Sequence, residues 1–251
     1  MKKLFVVGLG PGNAENMSPK AKQAIVQSSV VVGYKAYVDL ILDLTAGKTV
    51  ISTGMMKEIE RCKIALENAA AGNTTSLVCS GDAGVFGMAS PVLELAGQFG
   101  DVEIEIAAGI TAAMSGSAVL GSPLAHDFAV ISLSDALTPC DVIENRLRLC
   151  ARAGLCLALY NPQSKKRSDA LKKACEVLLS EVSGETVCGY VRNIGREGEE
   201  RRICTLSALK NAELDMFCTV FIGNEATKTV FAGGTEYMVT PRGYEKKYAM
   251  Q

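Results

Sequence analysis

Leu4-Phe5-Val6-Val7-Gly8-Leu9-Gly10-Pro11-Gly12 decides the fold: a short apolar run leads straight into a bend of glycines and a proline. Four residues rich in valine and phenylalanine suit a buried strand and are too few for a helix. Glycines directly after a first strand either bring the backbone close to a nucleotide or nucleoside or form a bare turn. A dinucleotide fingerprint needs G-x-G-x-x-G with a helix opening on it. Counted from Gly8, its third glycine falls on Asn13, and Pro11 removes a backbone donor where a phosphate needs one. No carboxylate closes the second apolar run, because Val32 leads into Gly33-Tyr34-Lys35. An NAD(P) site is therefore disfavoured.

Outward from that strand, apolar runs alternate with amphipathic segments. Leu4–Val7, Val30–Val32, Thr49–Ile51, Ser76–Cys79, Val102–Ile106, Ala129–Ser132, Leu155–Tyr160, Thr186–Val191 and Cys218–Ile222 read as strands. Ser18-Pro19 supplies an N-cap and a first-turn proline to a helix carrying Ala21, Ala24 and Ile25. Thr138-Pro139 does the same before Val142-Ile143, and Ser207 is placed to cap Ala208-Leu209. This alternation predicts an α/β protein with largely parallel sheet, mixed in the second half, where strands crowd and helices thin out. The 251 residues suffice for two α/β domains, 1–122 with the glycine loop and 123–251, divided near Gly121–Phe128.

The uncharged stretch Ile106 to Ala125 has the length of a bilayer span but carries Gly109, Gly116, Gly121 and Pro123 and little bulk. It reads as a close-packed interior helix. Met1-Lys2-Lys3 imitates the start of a signal peptide, yet the apolar run after it breaks at Gly8. No membrane association is expected. Lys and Arg number 26 against 27 Asp and Glu, so no global basic field favours nucleic acid. Apolar residues at 48% exclude a disordered chain. The nine cysteines are odd in number, lack C-x-x-C spacing and mostly sit in apolar runs, as buried reduced thiols of a cytoplasmic protein do. With one histidine in the chain, no protein metal site is expected.

A second loop, Cys79-Ser80-Gly81-Asp82-Ala83-Gly84-Val85-Phe86-Gly87, follows the fourth predicted strand. The carboxyl end of a strand is where α/β folds bind ligands. The absence of Lys and Arg argues against a triphosphate and for a ligand of little negative charge. Asp82 either bonds ligand hydroxyls or a cation, or closes a turn on local amides.

Together, Gly8-x-Gly10-Pro11-Gly12, Ser80-Gly81-Asp82, Gly109-Ile110-Thr111-Ala112 and Leu159-Tyr160-Asn161-Pro162 resemble the tetrapyrrole (corrin/porphyrin) methylases. Val32-Gly33-Tyr34-Lys35-Ala36-Tyr37, Thr53-Gly54-Met55, His126-Asp127-Phe128, Ser132-Leu133-Ser134-Asp135 and Thr240-Pro241-Arg242-Gly243-Tyr244 look like the precorrin-3B / cobalt-factor III C-17 methyltransferase branch. The likeness runs in order from Gly8 to Tyr244. Ala83 departs from the wider family, which often has proline there.

The resemblance implies two α/β domains with S-adenosylmethionine in the cleft between them, and a homodimer. It places Pro11, Ser80, Gly81, Asp82 and Val85 on the cofactor, with Thr111, Ala112, Tyr160 and Asn161 completing the pocket and Gly223, Thr240 and Pro241 contributing. The implied reaction is methylation at C-17 of a corrin precursor, precorrin-3B or cobalt-factor III, in cobalamin biosynthesis. Ring contraction with lactone formation by a ring-A acetate is coupled to it, and any cobalt arrives chelated in the substrate. Proton transfer in such a reaction suits His126 with Asp127 beside it, although a histidine bonding a hinge carbonyl is an equal reading. Substrate carboxylates call for basic side chains: Lys57 and Arg61, Lys165-Lys166-Arg167, Arg192 and Arg242 are candidates, each otherwise a solvated surface charge. Arg196–Arg202, mixed in sign, reads as a solvated turn. The alternatives are another tetrapyrrole C-methyltransferase, such as a uroporphyrinogen III methylase, and a non-catalytic tetrapyrrole carrier.

Overall fold

The computed structural model describes residues 2–12, 14–164, 167–244 and 247; Asn13, Lys165 and Lys166, named above, lie outside them. The chain divides into two compact units, Met1–Ala112 and Ala113–Gln251.

The first unit runs β1 (Lys3–Gly8), α1 (Pro19–Gln27), β2 (Val30–Tyr34), α2 (Lys35–Val38), β3 (Thr49–Thr53), α3 (Glu58–Ala70), β4 (Thr74–Cys79), α4 (Ala89–Ala96) and β5 (Glu103–Ala107). Its five strands form one parallel sheet in the order β3-β2-β4-β1-β5. Successive side chains of a strand point to opposite faces, and a parallel sheet is covered on both. Leu4 and Val6, with Val32 and Leu77, pack on Leu66 of α3 and Val92 of α4. Phe5 and Val7, with Val31 and Val78, pack on Ala21, Ala24 and Ile25 of α1. That two-sided burial is why β1 reads as an unbroken apolar run. Ser18 caps α1 as expected, its Oγ accepting the Ala21 N–H at 3.2 Å. From β1 the chain crosses to β2 in one direction, and from β4 to β5 in the other. The carboxyl ends of β1 and β4 therefore sit where the winding reverses, the usual place for a ligand.

The second unit contains α5 (Ala112–Leu120), β6 (Gly121–Ser122), β7 (Phe128–Ser132), α6 (Cys140–Arg152), β8 (Cys156–Tyr160), α7 (Ala170–Leu179), β9 (Val187–Arg192), β10 (Glu200–Thr205), α8 (Leu206–Leu209), β11 (Cys218–Ile222), β12 (Lys228–Ala232) and β13 (Thr235–Val239). Its main sheet, β10-β9-β11-β8-β7, is mixed, parallel at β7–β8 and antiparallel elsewhere. Leu147, Leu157, Leu159, Leu171 and Leu178 fill its core against α6 and α7. A smaller sheet joins β12, β13 and β6.

Several local expectations change. The predicted interior helix is shorter: α5 has nine residues, and β5 takes Glu103–Ala107. The units part at the start of that helix rather than beyond its end, because α5 packs with the second unit. A Cβ on Gly116 would lie 2.9 Å from Ile194 Cδ1 and from Phe221 Cζ. Pro139 is itself the N-cap of α6, with no side-chain cap bond from Thr138. Thr205 caps α8 in place of Ser207, its Oγ1 accepting the Ala208 N–H at 3.3 Å. The predicted turn at Arg196–Arg202 ends early, since Glu200, Arg201 and Arg202 are in β10. All nine cysteines are free thiols, and burial pushes Cys62 and Cys79 up to about 11 and Cys175 up to about 12. Among the described residues, no helix is long and apolar enough to cross a membrane.

Gly116→Val forces branched bulk against Phe221 and Ile194. Overpacking of this kind costs about 1–3 kcal/mol, and urea unfolding should show the unfolding free energy falling by that amount, through a lower midpoint at unchanged slope.

Candidate functional site

The strands β4, β1 and β5 are neighbours, and the segments leaving their carboxyl ends are tied to one another by backbone. Leu9 N–H donates to Cys79 O at 2.9 Å. Gly10 and Gly81 then exchange two bonds, Gly10 N–H to Gly81 O at 3.0 Å and Gly81 N–H to Gly10 O at 2.8 Å. Asp82 adds the third segment, its Oδ2 accepting the Gly109 N–H at 2.9 Å and its Oδ1 the Gly84 N–H at 2.8 Å. Oδ1 thus closes the local turn that the sequence left open, while Oδ2 reaches across to the segment that follows β5.

Glycine is required where these segments touch. A Cβ on Gly8 would lie 2.7 Å from Gly81 O and 2.8 Å from Gly109 N, and one on Gly109 would lie 2.5 Å from Gly8 O and closer still to Gly81 O. Beside Gly81 there is room: a methyl there would meet Thr111 Cα at 3.7 Å and Ala112 N at 3.9 Å. The stretches 8–12, 80–87 and 109–112 contain one charged side chain, Asp82. Those stretches offer a ligand backbone polar groups and no cation, which suits a nucleoside of little negative charge and argues against a triphosphate. Pro11, Ser80, Gly81, Asp82, Val85, Thr111 and Ala112 all lie on these segments; Pro11 is buried and the others are half-buried.

The other expected cofactor residues belong to the second unit. Tyr160 ends β8, and its hydroxyl accepts the Ala113 N–H at 2.6 Å. Asn161 follows with φ +54° and donates from Nδ2 to Ser132 Oγ at 3.0 Å. Gly223 abuts Thr227, where a Cβ would come within 2.5 Å of the threonine Cβ. Thr240 is 1% exposed; its Oγ1 donates to Pro123 O at 2.7 Å and lies 2.8 Å from Thr227 Oγ1, so its hydroxyl is committed within the unit. Pro241 after it is half-buried.

His126 and Asp127 lie exposed between β6 and β7. The His126 Nδ1 lies 2.8 Å from the Asp127 amide nitrogen, accepting its N–H, and 3.6 Å from Asp127 Oδ2, so the ring's partners are on Asp127. The basic candidates differ in kind. Lys57 is exposed, and its hydrogen bond with Glu60 at 2.6 Å holds its pKa above the ordinary lysine value. Arg61 is buried among neutral groups. Arg192 reaches Glu200 at 3.4 Å and Asp215 at 3.5 Å, Arg167 reaches Asp135 at 3.3 Å, and Arg242 is exposed. Phe86, within the stretch 80–87, and Met56, in the loop between β3 and α3, have left-handed backbone; as neither is glycine or asparagine, residue type carries no warning of it. Among the described residues, no cluster of three or more His, Cys, Asp or Glu is placed to hold a metal ion.

Residues 3–210 match the sequence profile of the Tetrapyrrole (Corrin/Porphyrin) Methylases. The probable cobalt-factor III C(17)-methyltransferase of Salmonella typhimurium is 43% identical over 242 residues, 96% of this chain and 99% of that protein. The cobalt-factor III methyltransferase of Priestia megaterium is 40% identical over 99% of this chain, which spans only 46% of that longer protein. Among solved structures, the methyltransferase CobJ is 35% identical with a TM-score of 0.87, over 95% of this chain and 99% of that one.

Asp82→Ala leaves the part-buried Gly109 amide without its acceptor, while water replaces the carboxylate at the exposed Gly84. Leaving a buried donor unsatisfied costs about 1–3 kcal/mol, so a lowered melting temperature is expected, together with faster hydrogen exchange at the Gly109 amide.

Proposed function

The chain belongs to the tetrapyrrole (corrin/porphyrin) methylase family, and from that membership we propose that it is an S-adenosylmethionine-dependent methyltransferase acting at C-17 of a corrin precursor in cobalamin biosynthesis. The observation that carries the reading is the cation-free seat made by the Gly8–Gly12, Ser80–Gly87 and Gly109–Ala112 segments. When bound, S-adenosylmethionine supplies an electrophilic methyl group on a sulfonium. Pro11, Ser80, Gly81, Asp82, Val85, Thr111 and Ala112 hold the donor, with Asp82 acting through the loops it ties. Tyr160, Asn161, Gly223, Thr240 and Pro241 complete the set from the second unit, Thr240 through its backbone.

An electron-rich pyrrole carbon needs little covalent help, so the work of this chain is to hold acceptor and donor in line. Lys57, Arg192 and Arg242 meet the peripheral carboxylates, with Arg192 exchanging its present carboxylate partners for those of the substrate. His126 Nε2 moves the proton that coupled ring contraction requires, and Asp127 steadies the ring through its N–H. The names of the Salmonella and Priestia relatives support cobalt-factor III as the substrate to test first. The nine free thiols support a cytoplasmic setting, and the fully exposed strand β12, with Phe231 74% exposed, supports a homodimer.

Calorimetry should show saturable binding of S-adenosylhomocysteine. Incubation with cobalt-factor III and a carbon-labelled methyl donor should give a product whose label NMR places at C-17. A label at another ring position would make the chain a different tetrapyrrole methylase, and corrinoid binding without any S-adenosylhomocysteine formed would make it a carrier. His126→Ala should slow turnover at least about 100-fold, the lower bound for positioned acid–base catalysis, and an unchanged rate would remove the histidine from the mechanism.

A further inference from the structure

Among the described residues, four besides glycines have left-handed backbone: Met56 at φ +62°, Phe86 at +53°, Asn161 and Asn193. Asparagine visits that region readily, whereas bulky residues seldom do. Met56 is also 75% exposed and Phe86 60% exposed. Backbone strain and bare apolar surface are separate costs, and here the same two residues carry both. Strain of this kind collects at binding sites, and contiguous exposed apolar side chains mark surfaces that bind something.

Arg61 brings the two loops together. It lies on α3 and is 4% exposed. Its Nε donates to Thr53 Oγ1 at 2.7 Å, its Nη2 to Gly54 O at 2.9 Å, and its Nη1 lies 3.9 Å from Met88 Sδ. The guanidinium carbon is 5.9 Å from the centroid of the Tyr34 ring. Those partners are a hydroxyl, a carbonyl, a thioether and a ring. Burying a cation without a counter-ion is costly, and the arrangement it secures is the position of Gly54, just before Met55-Met56, and of Met88, just after Phe86-Gly87. Met55 and Ile59, each about half exposed, extend the apolar surface along the same loop and into the first turn of α3.

We propose that Met55, Met56, Ile59 and Phe86 are the platform on which one face of the tetrapyrrole macrocycle lies, and that Arg61 is the positioning residue that fixes it; this rests on the methyltransferase reading above. Phe86 stands in the same segment as Ser80, Gly81 and Asp82, so the platform is continuous with the proposed donor seat. Thioether and phenyl groups suit a broad, flat, polarisable ring. Lys57, next to Met56, puts a cation at the rim, where a peripheral carboxylate of that ring falls.

Met56→Asn and Phe86→Asn test this, because asparagine accepts the left-handed backbone while removing the apolar surface. Each variant should melt no lower than wild type and bind S-adenosylhomocysteine within about twofold of it. Absorbance titration with cobalt-factor III in the presence of S-adenosylhomocysteine should show its Kd raised about tenfold in each, the scale of losing one large apolar contact. Arg61→Lys should raise the KM for cobalt-factor III, with kcat and S-adenosylhomocysteine affinity held. If wild type binds cobalt-factor III and both asparagine variants bind it equally well, the platform is wrong and the methyltransferase reading stands. If wild type binds neither ligand, the methyltransferase reading fails and takes the platform with it.

Discussion

Two parallel strands end side by side, and the chain leaving one hydrogen-bonds the chain leaving the other. The reciprocal Gly10–Gly81 pair carries the contact between β1 and β4 past the point where their ladder stops. Asp82 then draws in the segment after β5 by way of Gly109. The surface that results is backbone, because Gly8 and Gly109 approach too closely for any side chain to stand between the segments. A backbone surface offers amides and carbonyls in fixed positions and no net charge. It can read shape and hydrogen-bonding pattern but cannot neutralise phosphates. Pro11 points the same way, removing one donor at the place where a phosphate loop would need it.

Both units bury polar groups. In the first, Arg61 is buried beside Thr53 and Gly54, and in the amino-terminal half of β4 the Ser76 hydroxyl lies 2.7 Å from that of Ser28 beside Ala24 O. In the second, polar groups knit the framework itself. Thr240, Thr227 and Pro123 share a buried hydroxyl–hydroxyl–carbonyl chain. Arg201 donates to the carbonyls of Val119 and Glu236 and lies over the Tyr237 ring. Such bonds join elements far apart in sequence, as a mixed sheet with a separate three-stranded sheet requires. Satisfied networks of this kind rigidify a fold.

How far each part was legible follows from where its information lies. Buried strands announce themselves, so β1, β2, β4, β8, β9 and β11 coincide with apolar runs read from the chain; β3, β5 and β7, largely exposed or half-buried, were legible from their short runs of β-branched residues. Strand β10 opens Glu-Arg-Arg and pairs only with β9 at the sheet edge, so its pattern is that of a solvated turn. Strand β12 is exposed along its whole length, and hydrophobic periodicity had nothing there to report. The cap of α8 was misplaced by two residues because Thr205 and Ser207 are both competent caps, and only the backbone decides between them. The glycine segments were legible by type, but Asp82's role was not: its partner is 27 residues away, at the end of another strand.

The strained residues follow from the same division of labour. Local preference and global fold agree through the core of the first unit, where apolar strands, a capped helix and two-sided burial point to one structure. They disagree at the carboxyl edge, where Met56 and Phe86 take left-handed backbone with their side chains in water and Arg61 lies buried without a carboxylate. A protein that folds by mutual consistency tolerates such conflicts only where something other than stability selects them. Placed elsewhere, the same conflicts would read as scattered imperfections. Carried by the segments that follow β3 and β4 and joined through Arg61, they lie at the carboxyl edge of the sheet, where the ligand is proposed to bind.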